Sequence, residues 1–92
     1  MDYPERNITE KDLIRSAVLA CKSYYSGGPD PTTGTYLFTS ATFSNAFNKV
    51  TGIKGPIDGL IVQAMLCGRD WVIELPKNYW QLTEAILMEH IL

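Results

Sequence analysis

The sequence predicts a small α+β domain whose elements run helix, strand, helix, helix, strand, strand, helix. Three observations predict it. Apolar residues recur at helical spacing over residues 13–25 and 43–50. Two β-rich runs, around residues 71–73 and 79–80, flank a Pro-Lys-Asn turn. And 92 residues with 46% hydrophobic and 20% charged content suit one small core, neither two domains nor a disordered tail. A chain this short buries only about two-thirds of its unfolded surface, so self-association would add burial.

Residues 1–7 carry no element signal and are expected to be flexible. Thr9 and Asp12 then stand at capping-box spacing, with Ile8 and Leu13 at the staple positions on either side. The helix that follows is apolar at Leu13, Ile14, Ala17, Val18, Ala20, Cys21, Tyr24 and Tyr25. Asp12, Arg15, Ser16, Lys22 and Ser23 are assigned to its polar side, where Leu19 also falls, placed to touch a second element. Gly27-Gly28 stops it, and residues 26–34 form a turn-rich loop. Residues 35–38 are β-prone. Thr39 or Ser40 caps a second helix with the stripe Phe43, Ala46, Phe47, Val50, and Gly52 ends it. A third helix is expected over Pro56–Cys67, with Ile57, Leu60, Ile61 and Ala64 inward and Gly68 as its stop. Residues 70–75 read as a strand and 76–78 as a turn. Residues 79–82 read as a second strand, although Asn78 could instead cap one long helix; the β-forming Trp71, Val72, Ile73, Tyr79 and Trp80 favour the hairpin. Residues 84–92 close the chain as an apolar association helix.

Charge and cysteine content narrow the function classes. The net charge is −2; residues 41–77 hold four basic against three acidic residues, leaving −3 on the rest. Such a chain has no basic run for nucleic acid, only room for a local patch. Cys21 and Cys67 lie in apolar stretches and are expected to be reduced core thiols. The start Met-Asp-Tyr-Pro-Glu is unlike a signal peptide, and no apolar run reaches the roughly 18 residues of a membrane span, so a cytoplasmic location is expected.

Catalytic chemistry finds little support. His90, beside Glu89, is the one histidine, so no Cys/His metal set closes without carboxylates. Asp70 and Glu74 share one face of a strand, a spacing that more often marks a solvated face than a catalytic pair. Ser26-Gly27-Gly28 and Thr51–Gly55 lack the Lys-Ser/Thr ending of a nucleotide loop and read as helix stops. No enzyme activity, cofactor or metal is expected. The ten aromatic residues divide between core and surface: Phe43, Phe47 and Trp71 are expected inside. Adjacent strand residues face opposite ways, so one of Tyr79 and Trp80 is expected to face out or be covered by a partner.

This order of elements, with a strand, a short turn and the segment Tyr79-Trp80-Gln81-Leu82-Thr83 leading into a helix, resembles the winged helix-turn-helix superfamily. The resemblance implies a winged-helix-like fold in which helices two and three form the helix-turn-helix and the hairpin is a wing. It places Lys49 at the end of helix two, Lys54 in the turn and Lys77 at the wing tip. The sequence departs from the pattern at Asn48, where a small residue is usual, and at Asp58, where an apolar one is. The face assigned outward on helix three, Asp58, Gly59, Val62, Gln63 and Leu66, offers only Gln63 for reading base edges.

Two functions follow. The first is a non-catalytic transcriptional regulator that binds double-stranded DNA as a homodimer, through Lys49, Lys54, Gln63, Arg69 and Lys77. The second is a protein-binding module, a small inhibitor or adaptor of the kind mobile elements carry. It would use an apolar face: Val62, Leu66, Tyr79 and Trp80, with Leu87 and Ile91 on the association helix.

Overall fold

The computed structural model describes residues 8–24, 34–55, 57–83 and Ile86. Three helices, α1 (Glu10–Tyr24), α2 (Ser40–Thr51) and α3 (Gly59–Leu66), pack with three strands, β1 (Leu37–Thr39), β2 (Val72–Leu75) and β3 (Tyr79–Leu82). The strands form one antiparallel sheet in the order β1-β3-β2. Leu37 pairs with Gln81 and Thr39 with Tyr79 on one side of β3; Val72 pairs with Leu82 and Leu75 with Tyr79 on the other. The alternative of a continuous helix from Asn78 is thereby excluded. The predicted helix over 84–92 lies outside the described residues except for Ile86, which is helical and buried. The predicted loop over 26–34 lies outside them too, apart from Gly34.

Local chemistry explains where the helices begin. In α1, the Thr9 hydroxyl accepts the Asp12 N–H (3.2 Å) and the Asp12 carboxylate accepts the Thr9 N–H (3.2 Å), the reciprocal capping box. In α2, Thr39 is the cap, and Thr42 completes its box: the Thr39 hydroxyl accepts the Thr42 N–H and the Thr42 hydroxyl accepts the Thr39 N–H. Gly52 ends α2 at φ 76°, the left-handed conformation that glycine adopts without penalty. The hairpin tip is tied to the same helix start. The Ser40 N–H donates to the Asn78 carbonyl (3.0 Å), satisfying a donor that the first helical turn leaves free.

The core lies between α1, α2, α3 and the inner sheet face. Phe38, Phe43 and Phe47 are fully buried, with successive ring centroids 5.9 Å apart. Leu13, Ala17, Ala20 and Cys21 close one side, and Val62, Leu66, Trp71, Val72, Trp80 and Leu82 the other. Burial of Phe43, Phe47 and Trp71 agrees with the sequence reading. Asp12 and Ser16 differ from it, since both are buried. Asp12 serves the cap, and the Ser16 hydroxyl donates to the Asp12 carbonyl (2.7 Å), so neither polar group needs water.

Helix α3 brings the main correction. It starts at Gly59, not at Pro56, with Asp58 as the cap whose carboxylate accepts the Leu60 N–H (2.8 Å). Ile57 and Val62 then occupy the two staple positions, and both are buried. Val62 and Leu66, one turn apart, therefore point inward, at 0% and 1% exposure. Leu60, expected inside, is 74% exposed, and Ala64 is exposed as well. No helix among the described residues is long and apolar enough to cross a membrane.

Candidate binding surface

The exposed side of α3 is a stripe of Leu60, Gln63, Ala64 and Cys67, at spacings of three, four and seven residues. Exposed acidic groups surround it: Asp58 at the helix cap, Asp70 in the following turn, and Glu74 on β2. Gln63 Nε2 donates to Glu74 Oε2 (3.0 Å), which fastens β2 to the side of the helix. Cys67 belongs to this surface; the expectation that both thiols are in the core holds for Cys21 alone.

The proposed partner residues separate accordingly. Val62 and Leu66 cannot meet a partner, because they fill the core between α3 and the sheet. Trp80 is also buried, at 2% exposure, and its indole N–H donates to the Ser40 hydroxyl (3.1 Å). Tyr79 faces the other way and is half-buried, the alternation that β3 imposes. It shares the outer sheet face with Leu37, Leu75 and Ile73, and Ile73 is 45% exposed. Leu87 and Ile91 lie outside the described residues, as do Glu89 and His90.

The proposed nucleic-acid residues do not form a strip. Lys77 sits at the exposed hairpin tip, at φ 62°, next to Asn78 at φ 64°. That tip is bound to the start of α2 through Ser40. Lys49 lies nine residues along α2, about 14 Å down its axis, and Lys54 follows the far end. Arg69 is committed elsewhere. Its Nη1 pairs with Glu10 Oε2 (3.2 Å) and its Nε donates to the Met65 carbonyl (3.0 Å). The same Glu10 oxygen accepts the Trp71 indole N–H (3.0 Å). The Trp71 hydrogen bond, then Arg69, hold the Glu10 carboxyl below its ordinary range. Gln63, the one base-reading candidate, is held by a carboxylate.

Periodicity selects no face of α3, because every residue of Gly59–Leu66 except Gly59 and Gln63 is apolar. A usable signal did exist. Ile57-Asp58 with Val62 repeats the apolar–cap–apolar spacing of Ile8-Thr9 with Leu13, which fixes the inward side of each helix. The buried Asn48 Oδ1 has no hydrogen-bond partner among the described residues. Among the described residues no three His, Cys, Asp or Glu side chains gather as a metal site. Comparison with protein-family models, with curated proteins and with solved structures finds no match to this chain.

Proposed function

We propose that the chain is a non-catalytic protein-binding module on a winged-helix-like scaffold, docking a protein partner on the outward stripe of α3. The observation that carries this reading is Leu60, 74% exposed on a helix face without Arg, Lys or Asn. With Ala64 and Cys67 it forms a contiguous apolar stripe held in water by a capped helix, and such exposed apolar surface marks association. The surrounding Asp58, Asp70 and Glu74 repel phosphate and favour a partner with basic or apolar groups.

A second reading, the DNA-binding regulator, is supported by one specific observation. The sheet order β1-β3-β2, with an exposed Lys77 at the hairpin tip and an exposed Lys54 between α2 and α3, suits a wing and a helix-turn-helix. It ranks second because the helix that would lie in the groove presents Leu60 and Ala64 there.

One experiment separates them. Leu60→Glu alters a side chain already in water and leaves folding intact, as circular dichroism would show. Pull-down from the cells that make the protein is expected to lose its partner with this variant. Generic duplex DNA at low salt, where electrostatic attraction is strongest, is expected not to raise the anisotropy of the labelled protein. Retention of the partner by Leu60→Glu, or tight salt-sensitive DNA binding, would overturn the protein-binding reading.

A further inference from the structure

Four exposed cations stand on α1 and α2. On α1, Lys11, Arg15 and Lys22 stand at i, i+4 and i+11, within about 40° of one another around the helix, and all are exposed. Arg15 and Lys22 border a shallow depression floored by Val18 and Leu19. A second depression adjoins it at Leu19 and runs between α1 and α2, past Ala46, to Lys49. None of the four side chains makes an ion pair or hydrogen bond among the described residues. With eight basic and ten acidic residues in the chain, gathering four cations here leaves −6 on everything else.

The two surfaces are complementary in charge. On α2, Thr42, Asn45, Ala46 and Lys49 face the groove. Half a turn away, the Ser44 hydroxyl accepts the Ile57 N–H (2.8 Å) and Thr51 is buried, both toward α3. The α1–α2 surface thus offers a groove with an apolar floor and a cationic rim. The other offers a protruding Leu60 among Asp58, Asp70 and Glu74.

We propose that copies of this chain associate head to tail, the α3–β2 face of one seating on the α1–α2 groove of the next. Leu60 enters the groove beside Leu19 and Ala46, and the carboxylates meet Arg15, Lys22 and Lys49. The inference rests on the reading of α3 as a protein-docking face and names its occupant. Because the two patches differ, the contact is heterologous: it builds a ring or an open chain of copies, not a two-fold dimer.

Sedimentation velocity against protein concentration tests it, at low and at high salt. The wild type is expected to grow beyond the monomer as concentration rises, and less so at high salt. The variants Arg15→Glu/Lys22→Glu and Asp70→Lys/Glu74→Lys each lose one face and are expected to stay monomeric. Mixed in equal amounts they are expected to associate again, since each supplies the face the other lacks and the two charge-reversed faces are themselves complementary. Circular dichroism and thermal unfolding verify that both fold. The neutral pairs Arg15→Gln/Lys22→Gln and Asp70→Asn/Glu74→Gln disturb the helices less and are expected to weaken association about tenfold.

A wild type that is monomeric throughout, or double variants that associate as the wild type does, would overturn the inference. So would a mixture that stays monomeric, or a groove that takes up an acidic peptide or nucleic acid and no second copy. These failures are separable from failure of the docking reading. A monomeric protein that still needs Leu60 to hold another partner keeps that reading, whereas self-association indifferent to Leu60→Glu refutes it.

Discussion

Burial pushes the Cys21 thiol up to about 12, because the thiolate would sit in the apolar core beneath α1. At pH 8 only roughly one molecule in ten thousand would carry that thiolate, and reagents need the thiolate. Cys67 lies exposed in the turn after α3. Alkylation of the folded protein at pH 8, read by mass spectrometry, is therefore expected to add one label, on Cys67, and a second only in denaturant. Two labels at equal rates would place Cys21 outside the core. The sequence distinguishes these cysteines poorly. Cys21 sits in an amphipathic helix with a defined inner face, whereas Cys67 follows Val62 and Leu66 in a helix apolar on every side. Burial there is decided by which residue the cap places first, not by hydrophobicity.

At the scale of elements, caps and turns were legible because their chemistry is local. Thr9 with Asp12, Thr39, and Gly52 each settle a helix end through hydrogen bonds or a backbone angle within a few residues. The hairpin was legible from its β-branched and aromatic flanks. The third helix was not, and its weakness is physical. Eight residues make only two turns, short of what sustains a helix unaided, and the first of them is a glycine. A methyl built on Gly59 meets only Asn78 Oδ1, at 3.9 Å, an ordinary contact. Gly59→Ala is thus expected to stabilise the protein by roughly 0.5–1 kcal/mol, chiefly by restricting the unfolded chain. Chemical denaturation should show the midpoint moving up with an unchanged slope. A loss of stability would mean that this helix start needs a conformation alanine cannot adopt.

The whole molecule is held by polar ties between distant parts of the chain. Trp80 reaches Ser40, Ile57 reaches Ser44, and Glu10 at the start of α1 collects both Trp71 and Arg69 ahead of β2. None of these is visible in local sequence, since each joins residues 13 to 61 positions apart. The cationic groove is likewise not local in sequence: Lys49 joins Arg15 and Lys22 only once α2 lies against α1. The Glu10 junction makes a pH prediction with a definite sign. Its carboxyl titrates lower in the folded protein than in the unfolded chain, so the contact favours the fold above the ordinary carboxylate range. That contribution is lost as pH falls through the folded value. Glu10→Gln keeps an oxygen that can accept from Trp71 and removes only the charge. Denaturant unfolding of both proteins across the acid range is expected to show the wild type more stable at neutral pH. The gap should close as the carboxylate is protonated, and it should shrink in high salt because the Arg69 pair faces solvent. A gap that persists unchanged at acid pH would mean that the junction acts through packing and not through charge.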